Sequence, residues 1–333
     1  MKAQRLGLVA AFRAVAVVKT PARRALMPRT IETYLLWVRK FYQFNECRPA
    51  SVWTGLDVQR FLWWMHAERY AIKSRKQALC ALVYVFRHVL QVDVGKLDLP
   101  SMPKEKATIK IIPSRAEIAR LFTGLRGQAK LMAGLMYGAG LRVSECCELR
   151  VKDIDLELKT IRVHGGKGDK DRLALLPHSM VAALAAHLAW RAGLHDCDCA
   201  NGAGIAPMPG RMNIKKPSAA RSLAWQYLFP STMIRGQRRW HTVPEAVQKA
   251  LRAAVKAAGI LKPVTPHTLR HAYCTHSLRA GNDPATVQRL MGHDDLTTTM
   301  IYAHGDFARG VSPMDVADVA IQRRGISFDL QPA

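Results

Sequence analysis

Six side chains in this sequence could cut a phosphodiester without a metal. Arg142 stands in Gly138-Ala139-Gly140-Leu141-Arg142-Val143-Ser144-Glu145, and Lys167 in Gly165-Gly166-Lys167-Gly168-Asp169-Lys170. His267 and Arg270 share His267-Thr268-Leu269-Arg270, His293 closes Leu290-Met291-Gly292-His293, and Tyr302 ends Thr298-Thr299-Met300-Ile301-Tyr302. Guanidinium forks hold phosphate oxygens bidentately. Histidines move or orient protons near neutral pH. A tyrosine hydroxyl can link covalently to phosphorus. Taken singly, each has a plain reading. Arg142 with Glu145 is an i,i+3 ion pair, His293 a helix-end histidine, Tyr302 a half-buried aromatic and Lys167 a solvated turn. Their shared order and spacing make phosphoryl transfer the stronger reading.

These residues need a scaffold. Apolar residues Ile31, Tyr34, Leu35, Val38, Phe41 and Tyr42 recur at helical spacing after a cap region at Thr30 and Thr33. Leu56–Glu68 and Ser74–Leu90 follow the same period. The stretch 99–112, with Pro100, Pro103, Lys104 and Lys106, reads as an extended linker. Ser114 and Glu117 form a capping box that starts further helices, expected to run to about Leu149. Asp155–Leu176 alternates as strands do, so Lys167 is expected at a hairpin tip. Helices are expected again from Val181 and from Val243 to about Ala320. Thr265 and Pro266 put His267 and Arg270 at a helix start, where free N–H groups attract phosphate.

The 333 residues hold 50 Lys and Arg against 25 Asp and Glu, a formal net charge of +25, with an isoelectric point near 10.2. Such an excess fits a polyanionic partner. Lys73, Arg75, Lys76, Arg87, Lys104 and Lys106 are candidate phosphate contacts. No uncharged stretch of about 18 apolar residues occurs, so no membrane span is expected. Seven cysteines without a framework fit reduced thiols and a cytoplasmic home. His187, His195, Cys197 and Cys199 match no zinc spacing. Cys197-Asp198-Cys199 is read as an ordinary loop, and neither metal nor cofactor is expected. Residues 1–27, acid-free and basic, are read as a flexible arm beside DNA.

With these words in place, the chain resembles the tyrosine recombinases, or phage-integrase-type recombinases, over about Thr30–Tyr302. The family's catalytic set maps onto Arg142, Lys167, His267, Arg270, His293 and Tyr302. The resemblance implies a mainly α fold with a small β-sheet. An N-terminal helical core-binding domain (28–98) would join a mixed α+β catalytic domain (113–333) through the linker, forming a C-shaped clamp on DNA. It also implies a homo-tetramer on two DNA sites, a 3′-phosphotyrosyl intermediate, an exchange helix at about 312–325, and a bacterial, nucleoid-associated enzyme.

A narrower resemblance, to integron integrases, rests on Trp225-Gln226-Tyr227-Leu228-Phe229-Pro230-Ser231, on Arg238-Arg239-Trp240-His241, and on an insertion at about 190–241. It implies two substrates, a duplex integration site and folded single-strand cassette sites. Trp225, Tyr227 and Phe229 are read mainly as a buried aromatic cluster. Trp240 and His241, beside Arg238 and Arg239, are candidates for stacking on a base. Residues 191–224 contain no Phe, Tyr or Trp, a departure from the aromatic-containing helix usual there. Two alternatives stay open: a recombinase of another branch acting on duplex sites only, and a non-catalytic DNA-binding relative.

Overall fold

The computed structural model describes residues 2–17, 26–103, 111–164 and 171–292. The chain divides into two units, Met1–Ala107 and Thr108–Ala333.

The first unit is helical. Helices α1 (Lys2–Val17), α2 (Pro28–Phe44), α3 (Gly55–Ala67) and α4 (Ile72–Val85) are followed by a π-helical turn, Phe86–Leu90. Helix α2 starts at Pro28 rather than at Thr30, because proline's fixed φ suits the first helical position. Its apolar stripe buries Ile31, Leu35, Val38 and Phe41. Phe41 meets Trp53 and Phe61 edge-on at 4.9 and 5.4 Å. Thr54 and Asp57 form a capping box at the start of α3, and the buried Asp57 also pairs with Arg48 and Arg60. The segment read as a flexible arm differs from that expectation. Residues 2–17 form α1, whose Phe12 and Ala16, one turn apart, lie fully buried in the core of this unit.

The second unit holds eight helices among the described residues: α5 (Arg115–Gly124), α6 (Gly127–Gly138), α7 (Val143–Glu148), α8 (Val181–Ala200), α9 (Met212–Lys215), α10 (Pro244–Ala257), α11 (Pro266–Arg279) and α12 (Pro284–Met291). Ser114 and Glu117 cap α5. Strands β1 (Ile154–Asp155), β2 (Thr160–Val163) and β3 (Arg172–Leu175) form an antiparallel sheet in that order, with Val163 opposite Arg172. Strands β4 (Pro230–Arg235) and β5 (Arg238–His241) form a separate hairpin. The core joins Leu121, Met132, Leu141, Ile161, Leu184, Phe229, Leu251 and Leu269. Burying each such side chain contributes roughly 1.5–3 kcal/mol.

Helix α8 replaces the expected loop at Cys197–Cys199. Its buried polar residues His187, Arg191, His195 and Asp198 recur at helical spacing. His187 and His195 each direct Nε2 to a main-chain carbonyl, of Leu228 (2.8 Å) and Arg221 (2.9 Å). Arg191 donates to Tyr227 O at 2.9 Å and to Gln226 Oε1 at 3.2 Å. One polar stripe thus binds the insertion, satisfying carbonyls that would otherwise be buried without partners.

Candidate active site

Glu145 is the hub of a cluster of arginines. Arg142 is the N-cap of α7, and the Glu145 carboxylate accepts from its main-chain N–H (2.8 Å) and from its Nη1 (2.6 Å). Arg172, at the start of β3, donates Nη1 and Nη2 to the same carboxylate at 2.8 and 2.7 Å. Arg270, on the first turns of α11, brings Nη1 to 3.8 Å from Glu145. Arg270 also donates to Gly140 O and, at 2.6 Å, to Met291 O. Three guanidiniums therefore surround one carboxylate, leaving a surplus of two positive charges.

The backbone was shaped for this. Gly140 has φ +67°, and a Cβ there would sit 2.6 Å from the Tyr273 ring. Only glycine reaches this conformation at low cost and lets Tyr273 approach. Gly292, at φ +62°, ends α12 and packs on Arg172.

Burial pushes the Glu145 carboxyl up. The bidentate Arg172, its charge, and the two bonds from Arg142 more than offset this and hold it at about 2. Glu145 is therefore ionised near neutral pH. Burial, then the Arg142 charge, lower Arg270 to about 10, which leaves it a cation near neutrality.

Arg142 has a side chain 29 % exposed, against 3 % for Arg270 and 10 % for Arg172. Its guanidinium opens to solvent. His267 is exposed in the first turn of α11, which Thr265 caps by accepting from Thr268 N. The His267 ring lies 4.0 Å from that of His271, edge-on. Lys167, His293 and Tyr302 lie outside the described residues. Strands β2 and β3 flank the segment carrying Lys167, and α12 ends at Met291, two residues before His293. The base of that hairpin is closed by His164, whose Nδ1 and Nε2 contact Asp171 (2.8 Å) and Asp153 (3.1 Å).

A second recess, of about 660 Å³, is bounded by Glu145, Arg150, Lys152, His164, Trp225 and Trp240 among others. Lys152 Nζ stands 3.5 Å over the Trp225 ring, and Arg150 lies 4.5 Å from the Tyr227 ring centroid. His241 meets Tyr227 edge-on at 4.9 Å. Trp240 is 42 % exposed, whereas Tyr227 and Phe229 are buried.

Two basic candidates are corrected. Arg239 is buried, with both Nε and Nη2 on Asp198 of α8 at 2.6 and 2.5 Å, so it anchors β5 instead of facing DNA. Arg75 is buried too, its Nη1 3.0 Å from His66 Nδ1 and 3.4 Å from Ser101 O. In both, a buried partner claims the guanidinium. Lys73, Lys76, Arg87 and Arg238 are exposed, with Lys76 donating to Pro103 O at 3.4 Å. Lys104 and Lys106 lie outside the described residues. Arg172, Arg150 and Lys152 were not singled out by sequence. The signal for Arg172 was its place just after the glycine-rich turn.

The sequence matches the phage integrase family over residues 115–309 and the N-terminal SAM-like domain of phage integrases over residues 16–96. An integrase/recombinase of Escherichia coli is 38% identical over 283 residues, covering 83% of this chain and 84% of its own length. The tyrosine recombinase XerA of Thermococcus onnurineus is 31% identical over 277 residues, covering 83% and 84%. Among solved structures, the fold is similar to the Tn1549 transposon integrase in complex with transposon right-end DNA (TM-score 0.59, 18% identity, 97% of this chain and 99% of that one). It is also similar to the site-specific recombinase XerH bound to a palindromic difH substrate (TM-score 0.59, 20% identity, 87% and 80%). No described helix is long and apolar enough to cross a membrane.

Proposed function

Because the chain belongs to the phage integrase family and is a tyrosine site-specific recombinase, we propose that it closes on DNA and exchanges strands through Tyr302. The observation that carries this reading is the convergence of Arg142 and Arg270 on one pocket with surplus positive charge. Preorganised donors of this kind stabilise charge that develops on the non-bridging oxygens. The Tyr302 hydroxyl attacks the scissile phosphorus, its proton passing toward His267. The bond to the 5′ oxygen breaks, and Lys167 protonates that oxygen. A 3′-phosphotyrosyl bond remains, and His293 holds the phosphate. Attack by the 5′ hydroxyl of a partner strand reverses these steps, so the ester bond is conserved and needs neither metal nor ATP.

The integron branch is the finer reading, with four protomers on two sites and cassettes integrated and excised from folded single strands. Its support is the insertion, which presents exposed Trp240 and half-buried His241 beside the Trp225 and Tyr227 cation–ring contacts. An unpaired base protruding from a hairpin has a free π-face suited to that recess.

The test is covalent capture on nicked duplexes tiled across the DNA flanking the gene. Wild type should give a denaturant-resistant adduct, undiminished by EDTA, and Tyr302→Phe none at unchanged DNA affinity. An adduct in Tyr302→Phe would sink the assignment.

A further inference from the structure

Arg172 is absent from the roles above, yet it makes three side-chain bonds at the pocket. Two go to Glu145 and one, from Nε, goes to Leu290 O at 3.1 Å. All three nitrogens thereby make a bond to protein atoms. Its position is unusual in joining three parts of the site. It sits on β3, opposite Val163 at the base of the hairpin that carries residues 165–170. It reaches α7 through Glu145, and it reaches the last turn of α12 through Leu290. Arg270 holds the very next carbonyl, that of Met291.

We infer that Arg172 is the positioning residue of the phosphate pocket, orienting Arg142 through Glu145 and fixing the end of α12 ahead of His293. Glu145 has four acceptor sites and Arg172 fills two of them, in the bidentate geometry that locks a carboxylate's plane. With that plane fixed, Arg142 Nη1 can meet Oε1 in one orientation only, which aims the remaining guanidinium edge outward. Without Arg172, the carboxylate can rotate and Arg142 loses its reference. Gly292 belongs to the same arrangement, since a Cβ there would stand 2.9 Å from Arg172 Cδ.

Electrostatics gives the inference a signature. Three charged groups face Glu145: Arg142 from the α7 cap, Arg172 from β3 and Arg270 from α11. Glu145 is held near 2 chiefly against burial by Arg172. Its charge is thus complete above its ordinary pKa and is lost only as pH falls through the depressed value. Removing an opposite charge at such range shifts a carboxyl upward by about 1–3 units. The acid limb of the cleavage profile should then move to higher pH by a comparable amount.

The inference rests on the recombination reading, and the experiment separates the two. Single-turnover adduct formation is measured at saturating DNA on the same tiled nicked duplexes, for wild type, Arg172→Gln, Arg172→Lys and Glu145→Gln. Misaiming a catalytic group by about 1 Å can cost on the order of a hundredfold. Arg172→Gln is expected to slow cleavage by about that factor, with DNA affinity within about threefold and the acid limb displaced upward. Arg172→Lys should regain only part, since an ammonium cannot fork. Glu145→Gln, nearly isosteric, should slow cleavage without an acid limb of its own and keeps the test open should Arg172→Gln fold poorly. Wild-type rate and an unmoved acid limb in Arg172→Gln, or wild-type rate in Glu145→Gln, overturn the inference alone. No adduct with wild type on any duplex overturns the recombination reading, and this inference with it.

Discussion

Two regions of the second unit are built from the same parts and serve opposite ends. In the pocket, Arg172 grips Glu145 bidentately. Within the insertion, Arg239 grips Asp198 bidentately too, through Nε and Nη2, with Arg191 nearby. There the guanidiniums end on protein atoms. Arg191 is fully buried, its Nη1 without a hydrogen-bond partner among the described residues. Burial, offset in part by Asp198, lowers it to about 10. In the pocket, Arg142 keeps an open edge. A buried arginine–carboxylate pair is therefore no mark of catalysis in itself. The mark is a surplus cation that the pair aims toward solvent.

The comparison is broken most severely by Asp198→Asn. The substitution leaves Arg239 buried and unpaired, and should destabilise the catalytic unit by about 3–5 kcal/mol. Urea denaturation checks this. Cleavage per folded molecule should persist under stabilising conditions. Next comes Arg142→Gln, which removes the open edge and its bond to Glu145 while Arg172 still holds that carboxylate. Cleavage should fall by about 10²–10³-fold with little change in melting temperature. Equal loss of stability in the two variants would erase the distinction between the regions.

A smaller effect sharpens the role of the insertion. Trp240→Ala with His241→Ala should weaken binding of a folded single-strand hairpin by about ten- to a hundredfold, and of a duplex much less. Paired affinity titrations beside a thermal melt read this. Equal losses with a lowered melting temperature would make Trp240 a packing residue and favour duplex-only action. The smallest effect concerns exposed charge. Lys73→Ala and Arg87→Ala should each reduce the salt dependence of DNA binding by about one counterion. Arg75→Ala should lower the melting temperature instead, because its guanidinium serves His66 and Ser101.

The pocket was half legible in the sequence. Local words placed Arg142 after a glycine turn and Arg270 at the start of a helix, because caps and turns act over three or four residues. Arg172 was not legible. Its bond to Glu145 spans 27 residues and depends on hairpin register, which a linear pattern does not specify. Arg75 and Arg239 were misread for a related reason: sequence gives charge and leaves burial open, and a distant carboxylate or imidazole decides the matter. The recurrence of His187, Arg191, His195 and Asp198 was a periodic signal of the helical kind. Its last turn, Cys197-Asp198-Cys199, was read as a loop because the cysteines were weighed only as metal ligands. The pair Phe12 and Ala16 was similarly present, one turn apart, inside a basic stretch whose charge drew attention first.

Arg270 donates to the carbonyl of Gly140 and to that of Met291, the residue before Gly292. Both glycines have backbones that ordinary side chains avoid, and both face a side chain with no room for a methyl group. This has a consequence for how readily the enzyme could be retargeted. In a randomised library selected for new recombination sites, the exposed turn of β4 and β5 is free to diversify. Positions 140 and 292 should return glycine in every active clone, so the adaptable surface and the inflexible frame are inherited separately within one domain.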